Sequence, residues 1–293
     1  MSACQSTGAL GMTSGSERGE GARRGPPDLL PERYRRWRAS ALGTLTETIE
    51  SGVVLGALGD VAGRRVLDVG CGDGSYAIAL AGQGARVIGA DLSAEMVHSA
   101  RSRARSVRRS SMFVRADLKR LPFPDRSFDA VLAVTVLCFT TEVATALREV
   151  HRVLAPGGRL VLGELHRWSL WALWRRVRGV LGSPIWRVAR FRSPRQLRRS
   201  LEAAGFVVES IRGAIYYPPW APAARILWRA DRHLARLSTA GAAFLVLAAR
   251  HPPDPPAAPS RVWGGRCLGS VSTGAVASAS TKGLGCFERP PRW

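Results

Sequence analysis

Lysine is almost missing from this sequence: Lys119 and Lys282 are the only two among 43 basic residues in a chain of 293. Long apolar runs are missing too. No segment approaches the roughly 18 apolar residues of a membrane span, and the first stretch, MSACQSTGALGMTSGSERGEGARRGPPD, has no apolar core of the kind a signal peptide carries. The expected location is the cytoplasm, with peripheral membrane contact as the most a membrane could claim. The five cysteines, Cys4, Cys71, Cys138, Cys267 and Cys286, show neither CxxC spacing nor histidine partners. That speaks against a disulfide framework and a zinc site, so reduced thiols and no bound metal are expected.

What is present is arginine, and it is unevenly placed. The formal charge is +21, yet residues 98–126 carry nine basic and two acidic side chains, and residues 165–236 carry fifteen and three. A compositional bias on a solvated surface would account for this, as would an anionic substrate, a nucleic acid or a lipid surface. Residues 1–30 and 251–293 are rich in Gly, Ser, Ala and Pro and read as disordered tails, the second opening on the proline cluster HPPDPPAAP. The folded unit is then 31–250, with no internal repeat.

Within it, apolar runs alternate with helical periodicity. RVLDVG (65–70), RVIGAD (86–91), FDAVLAV (128–134) and RLVLGEL (159–165) are apolar on both faces, as buried parallel strands require. Between them GSYAIALAGQ, SAEMVHSARSRARS and TEVATALREVHRVL space apolar residues three and four apart, the last stopping at APGG. SPRQLRRSLEAAG (193–205) has Ser193 to cap it, Pro194 at its first position and Gly205 to end it. FVVESIRGAIYY and AAFLVLAAR follow. The alternation specifies an α/β, doubly wound, mostly parallel sheet, whose final two strands are expected to form an antiparallel hairpin.

Ligands in such sheets bind at the carboxyl ends of the strands, where the strand order reverses. The turn after the first strand, DVGCGDG (68–74), lies there. Gly70 and Gly72 let the backbone turn tightly and approach a ligand, and Gly74 lets the next helix start close to the strand. A dinucleotide fingerprint would need glycine at 75, where Ser75 stands, and a phosphate loop would need GK[ST], which is absent.

With the motifs in this order, residues 31–250 resemble the class I S-adenosylmethionine-dependent methyltransferases, in particular the group similar to the ubiquinone and menaquinone C-methyltransferases. The resemblance rests on VLDVGCGDG (66–74), IGADLS (88–93), RADLKRLPFPDRSFDAV (115–131) and LREVHRVLAPGGRLVL (147–162). It implies a seven-stranded Rossmann-like sheet with helices on both faces and S-adenosylmethionine as cofactor. It implies that Asp68 orients the glycine loop, that Gly70, Cys71, Gly72 and Gly74 lie against the methionine moiety, and that Asp91 accepts the ribose hydroxyls. Leu92, Asp117 and Leu118 would surround the adenine, with Val134 at the end of the fourth strand nearby. Asp73 departs from the usual Thr or Ser, which alters contacts near the cofactor carboxylate. His151 is read as structural.

Methyl transfer is an in-line displacement that needs a base only if the acceptor carries a proton. Thr135 and Cys138 after the fourth strand, His166 after the fifth, and Tyr216 and Tyr217 after the sixth stand near the methyl in this scheme. His166 is the expected base because an imidazole titrates near neutrality; the competing reading is a surface histidine. NPP[YF], the signature of amino-directed nucleic-acid methyltransferases, is missing. In residues 166–191, Trp168, Trp171 and Trp174 recur every third residue with Arg175, Arg176 and Arg178 beyond. Together with Tyr34 and Trp37 of a helix at 32–50, and Tyr216, they are expected to form a lid over a small apolar, aromatic or prenylated acceptor for C- or O-methylation. The arginines would face an anionic group or a membrane. The alternative is a methyltransferase that engages RNA or protein through its basic segments, and the last is a cofactor-binding protein without catalysis.

Overall fold

A computed structural model of the chain describes residues 31–107 and 111–254. Of the expected tails at 1–30 and 251–293, residues 1–30 and 255–293 lie outside the described residues, while 251–254 belong to the folded unit, His251 stacking on His151 and Asp254 pairing with Arg126.

The apolar runs form one sheet because each can be covered on both faces. β1 (Arg65–Val69) is buried from its second residue onward and pairs in parallel with β2 (Arg86–Asp91) on one side and β4 (Phe128–Val134) on the other. β3 (Ser111–Arg115) lies outside β2, and β5 (Leu154–Leu165) outside β4. The far edge is made by β6 (Val207–Ala214) and β7 (Phe244–Arg250), giving the order β3-β2-β1-β4-β5-β7-β6. β7 is antiparallel to both its neighbours, so the expected antiparallel end is present. The 17-residue helix α9 (Ala221–Leu237) connects β6 to β7.

Among the described residues, eight further α-helices flank the sheet. In chain order they are α1 (Pro31–Ala39), α2 (Ala41–Leu58), α3 (Ser75–Gly82), α4 (Ala94–Ser106), α5 (Val143–Val153), α6 (Leu170–Val180), α7 (Pro184–Val188) and α8 (Pro194–Ala203). The helix expected at 32–50 is two helices. Ser40 ends the first and caps the second, its hydroxyl accepting from the Gly43 amide, and a Cβ at Gly43 would fall 2.0 Å from the Trp37 carbonyl oxygen. Only glycine permits that crossing.

APGG is not a loop. β5 begins at Leu154, and the register with β4 jumps from Phe128 opposite Leu154 to Ala130 opposite Arg159, so these residues form a bulge that lets the strand start straight from α5. In α8 the Ser193 cap is completed by Gln196, whose side chain accepts from the Ser193 amide. In α5, Ala146, Leu147, Val150 and Val153 form one buried stripe, the pattern of a helix laid on a sheet. One apolar cluster joins Val54, Leu80, Ala100 and Phe244, the other Leu147, Leu197, Leu201 and Leu247. Strand order reverses between β1 and β4, and their carboxyl ends open into a cavity of about 810 Å³.

Candidate active site

The cavity's first wall is the loop after β1. The Gly70 and Cys71 amides both donate to the Ala90 carbonyl, at 2.7 and 3.1 Å, which folds the loop over the end of β2. Gly70 has φ +68 and a Cβ there would sit 2.5 Å from Val136 Cγ2; Gly72 has φ +54 and a Cβ would meet nothing within 4 Å. Gly70 therefore serves close packing, while Gly72 presents bare backbone to open space. Gly74 does not line the cavity. It begins α3 at φ +80, where a Cβ would strike Phe113 at 2.9 Å, so its part is to bring the helix against the sheet.

Asp91 ends β2 and clamps this loop: its Oδ2 accepts from the Gly72 amide and its Oδ1 from the Ser93 amide, both at 2.9 Å. Each oxygen keeps a second lone pair. Burial raises the Asp91 carboxyl above its usual range, and the Ser93 and Gly72 amides oppose the rise. Asp68 is 1% exposed, and its Oδ2 has no hydrogen-bond partner. Burial, reinforced by the Asp91 charge, pushes it up to about 8. A buried carboxyl oxygen without a donor beside bare glycine backbone suits a cationic ligand.

Asp73, also 1% exposed, is held by two guanidinium groups. Arg38 reaches both its oxygens at 3.0 Å and Arg103 reaches Oδ2 at 2.7 Å. The departure from Thr or Ser at 73 is thus compensated by arginines from α1 and α4, one of which also pairs with Glu47 of α2. Asp117 lines the cavity, and its Oδ1 accepts from the Lys119 amide at 2.9 Å.

Asp68, Gly70, Cys71, Gly72, Asp91, Leu92, Asp117, Leu118 and Val134 all line this one cavity, and of the expected lid Trp37, Trp171 and Trp174 do so too. Trp168 and Tyr216 do not. Ser169 caps α6 by accepting from the Ala172 amide, so Trp168 precedes the helix, 63% exposed, and does not share the face of Trp171 and Trp174. The Tyr216 hydroxyl donates to the Ser238 carbonyl, away from the cavity, and burial raises it to about 12. Tyr34 falls in α1, but its side chain is outside the described residues.

His166 is neither the surface histidine nor a cavity base. It is 3% exposed and off the cavity lining, with Nδ1 2.8 Å from the Ala242 carbonyl and Nε2 buried without a partner. That carbonyl holds the proton on Nδ1. Burial lowers its pKa, so it stays neutral and structural near neutrality. Cys138 gives its thiol hydrogen to the Thr135 carbonyl, and burial pushes the thiol well up. Tyr217 is buried with its hydroxyl on Thr46. His151 stacks on His251 at 3.9 Å and meets Phe206 edge-on, a packing role.

Thr135 does line the cavity, at φ +50, a conformation that a β-branched residue rarely adopts. Sequence reasoning missed three others. Glu50 of α2, Trp186 of α7 and Arg175 of α6 line the same cavity. Burial raises the Glu50 carboxyl to about 7; the Arg175 charge opposes this and Glu47 reinforces it. The helical period of α2 was visible, but nothing in it marks which acid faces inward.

Residues 67–162 match the family described as a methyltransferase domain. Over that span the sequence carries the pattern of a methyltransferase domain. The demethylmenaquinone methyltransferase of Tropheryma whipplei is 44% identical over 107 residues, which are 36% of this chain and 44% of that protein. Among solved structures, a cyclase is 26% identical with a TM-score of 0.53, over 69% of this chain and 80% of its own. An S-adenosylmethionine-dependent methyltransferase of Thermotoga maritima, a possible histamine N-methyltransferase, is 24% identical with a TM-score of 0.58 over 76% and 98%. This chain spans between 44 and 61% of the length of these curated relatives and of a Mycobacterium tuberculosis protein that it also matches. S-adenosylmethionine is the cofactor of this domain family, and the donor set fits it: free lone pairs on Asp91, one unpartnered carboxyl oxygen on Asp68, and open space at Gly72.

Proposed function

We propose that the protein transfers a methyl group from S-adenosylmethionine to a small acceptor with an apolar or aromatic body, by C- or O-methylation. The observation that carries this is continuity: one cavity is lined both by Gly72 and Asp91 and by Trp37, Trp174 and Trp186. The cofactor supplies an activated methyl; the chain's residues hold and align. Asp91 would take the ribose hydroxyls, Leu92 and Leu118 the adenine faces, and Asp117 its amino group. Asp68 would balance the positive end. The indole walls exclude water and orient a flat acceptor beside the methyl. Glu50, titrating near 7 on the same wall, is placed to take a proton from an acceptor hydroxyl. The likeness to a demethylmenaquinone methyltransferase supports an aromatic ring of quinol type.

Engagement of RNA through the basic segments is less favoured, because several of those arginines are already committed. Arg101 donates to the Phe113 carbonyl, Arg103 pairs with Asp73, and Arg126 pairs with Asp254. Contact with an anionic membrane has more support. Val180 and Leu181 at the end of α6, and Ile226 and Leu237 of α9, are 76 to 86% exposed beside Arg178, Arg229 and Arg236. No described helix is long and apolar enough to cross a membrane.

The test is to incubate the protein with methyl-labelled S-adenosylmethionine and a fractionated cell extract. Label in organic-soluble small molecules is expected. Label in RNA or protein would contradict the acceptor class, and no label anywhere would contradict the activity.

A further inference from the structure

Arg175 of α6 lies on the cavity wall and is only 6% exposed. Its guanidinium lies between two indoles, 4.9 Å from the ring centre of Trp171 and 5.1 Å from that of Trp186. The rings cover the carbons and π face of the group but satisfy none of its donors, and Nε and Nη1 have no hydrogen-bond partner. Glu50 is near enough to favour the charge, but no ion pair forms between them, and its own carboxyl titrates near 7. The Arg175 cation is held down to about 10 by burial, which still leaves it charged at neutral pH. A buried, charged, hydrogen-bond-deficient guanidinium is destabilising unless something completes it. No acceptor among the described residues completes those two donors, and Arg175 itself lines the cavity.

We propose that Arg175 is the acceptor's anchor, and that the acceptor is an aromatic or apolar acid whose carboxylate takes the unpaired donors between Trp171 and Trp186. The inference rests on the methyltransferase reading above and narrows its substrate class. A carboxylate suits the site because its two oxygens match the planar fork of guanidinium donors. Trp174, with Arg178 at 4.9 Å from its ring, would flank the apolar body of the acid. The anion would also replace the incomplete counter-charge that Glu50 now provides.

The test uses the full chain saturated with S-adenosylhomocysteine, with benzoate and its neutral isostere benzamide as probes in calorimetric titration. Benzoate should bind about tenfold or more tightly, a difference of about 1.4 kcal/mol. Arg175→Met should remove that preference while leaving S-adenosylhomocysteine affinity unchanged. Should Arg175→Met fail to fold, Arg175→Lys keeps the charge but not the planar fork and should reduce the preference. Glu50→Gln removes the competing charge and should tighten benzoate, which a merely structural arginine would not produce. Equal binding of the two probes, binding of neither, or a preference that survives Arg175→Met would overturn the proposal. Failure of the wild type to bind S-adenosylhomocysteine would instead contradict the underlying methyltransferase reading.

Discussion

Replacing Asp91 with Asn changes one oxygen to NH2 and removes a charge while keeping the side chain's shape. In the structure each carboxylate oxygen accepts one backbone amide, from Gly72 and from Ser93, and retains a lone pair for a ribose hydroxyl. An amide nitrogen in either place faces a backbone N–H that it cannot satisfy, and one charge-assisted bond to the ribose is lost. Such a bond contributes about 1.5–3 kcal/mol. S-adenosylmethionine and S-adenosylhomocysteine should therefore bind about 10- to 150-fold more weakly. Because burial raises the Asp91 carboxyl, wild-type affinity should also fall on acidification at a higher pH than for an exposed aspartate, and the variant should lack that step. Calorimetric titration of both ligands, with circular dichroism to confirm the fold, is the assay. Affinities within twofold of wild type in a folded variant would refute the assignment of Asp91 to the ribose.

Trp171→Ala and Trp174→Ala should separate. Trp171 is 2% exposed and donates to the Tyr217 carbonyl, so its loss should cost about 3–5 kcal/mol of stability, visible as a lowered melting temperature. Trp174, 36% exposed, should leave melting and cofactor affinity nearly unchanged while reducing kcat/KM for the acceptor. Gly70→Ala places a Cβ at φ +68 against Val136, costing about 1–2 kcal/mol in backbone conformation before the overlap is counted. Val136→Ala should partly rescue it, and full function of Gly70→Ala alone would contradict the packing argument. Stability should fall between pH 6.5 and 8.5. Burial raises Asp68 to about 8 and Glu50 and Glu164 to about 7, so in that window the folded chain holds protons the unfolded chain has released. The stabilisation is complete below the unfolded carboxylate range and is lost as pH rises through the raised values. A melting temperature that rises across the window would contradict these burial effects.

The sheet was legible because buried parallel strands are apolar on both faces, and RVIGAD and FDAVLAV coincide with β2 and β4 to the residue. β3 was not separately visible: SMFVR is short, and its middle residue alone is buried. APGG was legible as the stop of α5, but the bulge it forms was not, because a bulge is defined by pairing with β4. The glycine loop could be read because close backbone approach demands glycine, and Asp91, expected beside it at the end of β2, does line the cavity and hold the loop. Gly74 was read as the residue that lets the helix start close to the strand, and the contact a Cβ there would make with Phe113 shows that packing. His166 failed as a base because strand ends look alike in sequence, and the Ala242 carbonyl that occupies its ring comes from 76 residues away. Glu50 and Arg175 were hidden for the same reason: burial and partners decide their chemistry, and both are set by helix packing.

The measurement that tests the central claim most directly is a structure of the chain with S-adenosylhomocysteine bound. The ribose hydroxyls should lie on Asp91 and the adenine between Leu92 and Leu118, with the sulfur turned toward the chamber of Glu50, Trp174 and Arg175. A ligand seated elsewhere, or with its sulfur turned away from that chamber, would contradict the account.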